Sequence, residues 1–224
     1  MEKIYAVILA AGTSSRLGFN KLTLKIDGRS VIQMAAEPFI QKGIENIYVV
    51  TNPENGPVKK ALETPVPPSL STSAFSLSPF TFPLSLFTFI TNSHFTEGMS
   101  SSIKAVMPFI KDADAVFFQL GDKPFIKKEM VEQMAELYAN REKNLFNIIA
   151  PVYRGRKGHP VLMDVKPYIM EMQNLEGDKG LREIIDNHSE SVLFIEGDEG
   201  NIFDIDTEGE IHTLRERGYV IEKD

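Results

Sequence analysis

Two cations follow a loop of small residues. In LAAGTSSRLGFNK (9–21), Arg16 and Lys21 come just after Leu9, Ala10, Ala11, Gly12, Thr13, Ser14 and Ser15. Small residues leave the backbone uncovered, so a phosphate can approach the amides of residues 12–16 as a nest of N–H donors. Arg16 can grip phosphate oxygens in a fork, and Lys21 can bring a point charge to a reacting phosphorus. The spacing matches neither G-x-x-x-x-G-K-[ST] nor G-x-G-x-x-G. Any one of these residues alone reads as part of a tight turn with solvated charges. The strand-like run before the loop, the loop and the two cations together point to phosphate.

The carboxylates that would complement such a site lie far along the chain. GDKP (121–124) places Asp122 at the end of an apolar run, where an unpaired carboxylate is costly and a cation offsets the cost. FDIDT (203–207) puts Asp204 and Asp206 on one face of an extended segment. Two carboxylate sources plus phosphate oxygens make an ordinary Mg²⁺ site. The plainer readings are a helix N-cap for Asp122, because Pro124 follows, and a solvated strand face for Asp204 and Asp206. YRGRKGHP (153–160) is locally basic, with Arg154, Arg156 and Lys157 around two glycines and His159 before Pro160. It suits an anionic second substrate. EGDKGLREII (176–185) offers free amides at Gly180 and Leu181 and Arg182 in the first turn of a helix, with Asp178 as its N-cap. That helix start suits a second phosphate.

These residues need a frame, and the apolar pattern supplies one. Strand-like runs at 4–10, 46–51, 114–121, 146–153 and 191–195 alternate with helical patterns at 30–43, 100–111, 127–141 and 181–188. Ser30 reads as an N-cap and Gly43 as a stop. Alternating strands and helices predict βαβ units, a mostly parallel sheet and three layers. Ligands of such sheets bind at the carboxyl ends of the strands, where the opening loop and GDKP both fall.

Composition narrows the classes. The chain has 224 residues, which favours one domain over 1–224. A net charge of −7 argues against nucleic acid as partner, so any anion site is a local basic cluster. The absence of cysteine excludes disulfides, thiolate metal sites and cysteine nucleophiles. The start does not read as a signal peptide, and the expected location is cytoplasmic. Residues 64–93 carry no charge and are rich in Ser, Pro and Phe. Prolines and serines interrupt the segment throughout, so it is no membrane span. It reads as an insertion over the sheet edge, with FTFPLSL (80–86) as an extended ribbon. An apolar lid or a subunit contact is the sharper alternative. Phe75, Phe80, Phe82, Phe87 and Phe89 would require cover.

In order along the chain, LAAGTSSRLGFNK, EGMSSSIKAV (97–106), GDKP, GRKGHPVL (155–162), GDKGLR (177–182) and DIDT (204–207) resemble the molybdenum cofactor cytidylyltransferase family, related to molybdenum cofactor guanylyltransferase. The resemblance covers nearly the whole chain except about 64–86. It implies a Rossmann-like, GT-A-like three-layer α/β/α fold and transfer of a cytidylyl group from CTP to the molybdenum-bearing pterin, with Mg²⁺ present and pyrophosphate released. It further implies that Gly12, Ser14, Ser15 and Arg16 cradle the triphosphate and that Lys21 acts at the α-phosphate. Ser101 and Ser102 would lie near the nucleoside. Asp122, with Asp204 or Asp206, would hold the metal, and His159, Asp178 and Arg182 would face the pterin. Ala11 goes with cytidine, where guanylyl relatives more often carry glycine. A molybdenum hydroxylase is the implied client. Lys123 departs from the family, which often has Met or Gln there, and EGE (208–210) departs from Pro-Glu-Asp after DIDT. Other readings are a sugar-phosphate or alditol-phosphate nucleotidyltransferase, a glycosyltransferase, and a non-catalytic cofactor-binding maturation factor.

Overall fold

The computed structural model describes residues 2–54, 56–66, 82–142 and 145–223. Its strands are β1 (Ile4–Ala10), β2 (Lys25–Ile26), β3 (Arg29–Ser30), β4 (Ile44–Thr51), β5 (Phe87–Thr91), β6 (Ala115–Leu120), β7 (Ile148–Tyr153), β8 (Arg156–Lys157), β9 (Val161–Asp164), β10 (Val192–Glu196) and β11 (Ile221–Glu222). The helices are α1 (Val31–Ala36), α2 (Gly56–Glu63), α3 (Met99–Ile110), α4 (Lys128–Ala139), α5 (Ile169–Asn174), α6 (Arg182–Asn187), α7 (Glu199–Ile202) and α8 (Glu208–Glu216). No helix among the described residues is long and apolar enough to cross a membrane.

The main sheet runs β10-β7-β9-β6-β1-β4-β5, with β8 paired to β7. All neighbours along that path are parallel except those of β9, which is antiparallel to both β6 and β7. Alternate residues of β1 feed two cores. Ala6 and Ile8 face a layer built with α1, α2, α4 and α8. Tyr5 and Val7 face a layer built with α3, α5 and α6. A strand buried on both faces reads as a continuous apolar run, as IYAVILA does. The predicted three-layer, mostly parallel architecture is therefore the observed one.

Local differences have local causes. The helix expected over 30–43 starts as predicted, with Ser30 in a capping box with Gln33. It ends at Ala36 and continues only as a 3-10 turn over Glu37–Phe39, where Pro38 cannot supply the next N–H. Of the insertion and ribbon expected over 64–86, residues 67–81 lie outside the described residues; Leu84–Leu86 form a 3-10 turn, and the strand begins at Phe87, parallel to β4 at the sheet edge. Phe82 and Phe87 are buried, with ring centroids 6.1 Å apart, and Phe89 is partly covered by α2, where Lys59 lies over its ring. Phe75 and Phe80 lie outside the described residues. The strands β2, β3, β5, β8, β9 and β11 and the helices α2, α5, α7 and α8 were not anticipated.

Phe117 is fully buried in β6, edge-on to Phe39 with centroids 5.6 Å apart. Phe117→Ala is expected to cost about 3–5 kcal/mol, and Ser30→Ala about 1 kcal/mol through its lost cap. Denaturant unfolding measures both. A Phe117→Ala loss no larger than that of Ser30→Ala would contradict this core.

Candidate active site

The opening loop and GDKP meet because β1 and β6 are parallel neighbours. Their carboxyl ends lie side by side, and the Gly121 N–H donates to the Leu9 carbonyl at 2.9 Å. A side chain at Gly121 would stand 3.2 Å from that carbonyl oxygen, so glycine permits the approach. Within the loop, Ser14 has φ +53°, and its Oγ accepts from the Lys21 N–H at 3.2 Å. Asn52, buried after β4, donates to the Ala11 carbonyl at 3.2 Å. Asn92, buried after β5, donates to the hydroxyls of Ser101 and Ser102 at 2.8 and 3.1 Å. Both asparagines were missed by sequence reading. The available signal was the Thr-Asn pair at 51–52, at the end of a strand-like run, repeated at 91–92.

Lys21 is the centre of the site. Its Nζ donates to Asp122 Oδ2 at 2.6 Å and to Asp206 Oδ1. Burial works against the ammonium, but Asp122 and Asp206 outweigh it and hold Lys21 above the ordinary lysine range. Burial also works against the Asp206 carboxylate, and Lys21, with Arg16 and Lys123, outweighs it and holds the carboxyl below its usual value. Arg16 is largely exposed, 3.7 Å from Asp206. Asp122 does not cap a helix, since α4 begins at Lys128. Its Oδ1 is buried without a hydrogen-bond partner. That orphaned oxygen and the adjacent Asp206 suit a hard divalent cation whose other ligands come from a substrate. Among the described residues, no group of three or more His, Asp or Glu gathers as a complete metal cage.

Asp204 is turned elsewhere. Its carboxylate lies 3.6 Å from Nζ of Lys123, a buried lysine that also donates to the Ile202 carbonyl at 3.2 Å. The Ile205 N–H donates to the Asp122 carbonyl at 3.2 Å, which joins the DIDT segment to GDKP.

Two clefts open around this cluster. One, of about 480 Å³, is lined by Leu9, Ala10, Ala11, Gly12, Thr13, Lys21, Ser102 and Asp122, together with Phe95 and Thr96. Ser14, Ser15, Arg16 and Ser101 are not among its walls. Ser14 shapes the loop, Ser15 is exposed, and the Ser101 hydroxyl donates to the Gly98 carbonyl at 2.7 Å. The other cleft, of about 580 Å³, is lined by Arg156, Lys157, His159, Asp178, Lys179 and Arg182. Leu9, Met99 and Asp178 belong to both. Asp178 does not cap the helix at 182. Its Oδ1 accepts from the Met99 N–H at 3.1 Å, at the start of α3. Gly98 at φ +93° makes room, since a Cβ there would meet Asp178 Oδ1 at 2.7 Å.

His159 lines the second cleft, with Nδ1 donating to the Phe118 carbonyl at 3.3 Å. Burial, and next the charge of Lys123, pushes its pKa down to about 4. Buried Asn201, also missed by sequence reading, donates to the His159 carbonyl at 2.8 Å and accepts from the His159 N–H at 2.9 Å. Its local sign is a capping box with Asp198, whose N–H donates to Asn201 Oδ1 at 2.7 Å, but its partner in the site, His159, lies 42 residues away and no local pattern marks it.

Residues 6–192 match the family described as MobA-like NTP transferase domain. The chain is 24% identical to the molybdenum cofactor cytidylyltransferase of Escherichia coli (strain K12) over 97% of its own length and 98% of that protein. Its fold is similar to that of Rv0371c from Mycobacterium tuberculosis H37Rv, with a TM-score of 0.73, 20% identity and coverage of 96% and 98% of the two chains. A manganese complex of Rv0371c superposes with a TM-score of 0.67, at 18% identity over 96% and 98%. A nucleotidyl transferase from Methanothermobacter thermautotroptrophicus gives a TM-score of 0.71, at 18% identity over 97% and 98%. The small-residue loop, the buried lysine–carboxylate cluster and this match over most of the chain agree: the protein is a nucleotidyltransferase and belongs to the MobA-like NTP transferase domain family.

Proposed function

We propose that the protein transfers a cytidylyl group from CTP to the molybdenum-bearing pterin cofactor and releases pyrophosphate, in the cytoplasm and with Mg²⁺ as the cation. The observation that carries this reading is the pair of clefts that share Leu9, Met99 and Asp178. One holds Lys21 and Asp122 beneath a small-residue loop, and the other is rimmed by Arg156, Lys157, Lys179 and Arg182. Two anionic substrates can thus meet at one line. The similarity to a cytidylyltransferase along 97% of the chain, and Ala11 in the loop, favour CTP and the pterin over other pairs.

An oxygen of the pterin's terminal phosphate attacks the α-phosphorus of CTP. The bond from that phosphorus to the bridging oxygen breaks, and pyrophosphate carries away the electron pair. The attacking phosphate is already an anion, so no general base is required, and positioning with charge stabilisation supplies the catalysis. Lys21 is held charged and fixed, ready to stabilise charge that develops at the α-phosphate. The backbone of residues 10–13 borders the space for the triphosphate. Lys21 and Arg16 balance Asp122 and Asp206, so a triphosphate enters a site with no surplus of positive charge. Asp122 and Asp206 would hold Mg²⁺, which supplies that charge and steadies the leaving oxygens. His159, neutral at physiological pH, offers a ring without charge beside the second cleft, where Arg182 and Lys157 supply the cations.

With Mg²⁺ and molybdenum-loaded pterin, pyrophosphate release is expected with CTP and not with GTP, ATP or UTP. Release with GTP would reverse the base assignment, and release only with a sugar phosphate as acceptor would replace the pterin. Lys21→Ala is expected to lower kcat by about a hundred- to a thousand-fold while nucleotide affinity, read by calorimetry, changes by less than about tenfold. Equal loss of both would favour a binding protein. The unfolded chain protonates His159 near its ordinary pKa of about 6.5, whereas the folded chain does so only at about 4. Between these values the unfolded state binds more protons, so stability falls as pH falls. His159→Gln is expected to flatten that part of the stability profile. An unchanged slope in denaturant unfolding would show that the ring is free to protonate in the fold.

A further inference from the structure

The two aspartates of DIDT are two residues apart, yet they have different cations. Asp206 turns to Lys21, and Asp204 turns to Lys123. Lys123 is 5% exposed and tied down along its length. Its Nζ donates to the Ile202 carbonyl at 3.2 Å and lies 3.6 Å from Asp204. Its own carbonyl accepts from Nε2 of the fully buried Gln119 at 3.1 Å. One residue before it, the Asp122 carbonyl accepts from Ile205. Lys123 is buried while the Asp204 side chain is 44% exposed, so the ammonium, held by the Ile202 carbonyl, needs that carboxylate more than the carboxylate needs it, and removing the lysine would release Asp204 to turn elsewhere.

That pair bears on the cation. A hard divalent ion that serves phosphoryl chemistry is held by one or two carboxylates and keeps its other positions for phosphate oxygens and water. A third carboxylate binds the ion more tightly and takes a position that a phosphate oxygen needs. We propose that Lys123 is a positioning residue that keeps Asp204 off the metal, so that Asp122 and Asp206 alone supply the protein's oxygens. The inference rests on the reading of Asp122 and Asp206 as metal ligands. It assigns a task to the one residue of GDKP that departs from the resembled family.

The test is Mn²⁺ binding to the full chain without nucleotide, followed by the electron paramagnetic resonance of the free ion. Asp206→Asn is expected to weaken Mn²⁺ by about tenfold or more, and Asp204→Asn to change it by less than about threefold. Lys123→Met is expected to tighten Mn²⁺ by about three- to tenfold, and adding Asp204→Asn to it is expected to return the affinity to the wild-type range. A merely structural lysine would not produce this reversal. Equal weakening by Asp204→Asn and Asp206→Asn would make Asp204 a ligand and overturn the inference. So would a Lys123→Met chain with a lowered Tm and unchanged Mn²⁺ affinity, or tightening that Asp204→Asn does not reverse. If Lys123→Met does not fold, Lys123→Gln, which keeps a donor for the Ile202 carbonyl, is judged by the same outcomes. A wild-type chain that binds no Mn²⁺, or an Asp206→Asn chain that binds it unchanged, defeats the metal reading itself and the inference with it. Neither result resembles the outcomes that overturn the inference alone.

Discussion

The ammonium of Lys21 lies between two carboxylates drawn from positions 101 and 185 residues further along the chain. Each of these groups is costly to bury alone, and removing one leaves its partner as an uncompensated charge. Together they tolerate burial, and the fold is arranged so that they stay together. Parallel pairing of β1 and β6 puts the opening loop beside GDKP. Gly121 lets the two backbones touch. The hydrogen bond from Ile205 to Asp122 brings the DIDT segment to the same place. Three distant stretches thus converge on one charged cluster at the carboxyl ends of the strands, where parallel sheets bind their ligands.

The antiparallel strand β9 explains how the second cleft reaches that cluster. A parallel strand inserted between β6 and β7 would begin at the far edge of the sheet. Because β9 runs the other way, Val161 pairs with Phe118 near the carboxyl end of β6. The basic segment before it, residues 156–160, therefore arrives at the active end rather than the opposite one. Asn201 then joins that segment to the stretch leading into Asp204 and Asp206. One strand reversal and one buried amide align the two halves of the site.

What was legible in the sequence follows from how local each signal is. The central strands announce themselves as apolar runs, and the loop's small residues and cations declare an anion. The carboxylates were visible as residues, but their partners were not. Nothing within a few residues of Lys123 says that it takes Asp204, or that Asp206 goes to Lys21, because ion pairing across the chain is set by the sheet. The strand β9 was hidden because four residues after a proline carry no periodicity. The strand β5 was hidden by an uncharged neighbourhood whose period-two stretch ends just before it. Asp178 was misread as a cap for the helix after it, since only the tertiary fold brings the start of α3 to its carboxylate.

The two cations of the opening loop differ in kind, and the difference is one of environment. Lys21 is fixed by two short contacts and shielded from water, so its charge needs no rearrangement when charge develops beside it. Arg16 is 72% exposed and meets one carboxylate at 3.7 Å, a contact that water screens strongly. A screened, movable guanidinium suits capture of a phosphate arriving from solvent, because swinging from Asp206 to a phosphate oxygen exchanges one weak pair for a forked one. That exchange would also free Asp206 of one of its counter-cations as the phosphates and their metal enter. In the proposed reaction, capture by the exposed arginine and stabilisation by the buried lysine would thereby be coupled through the one carboxylate that both cations meet, Asp206.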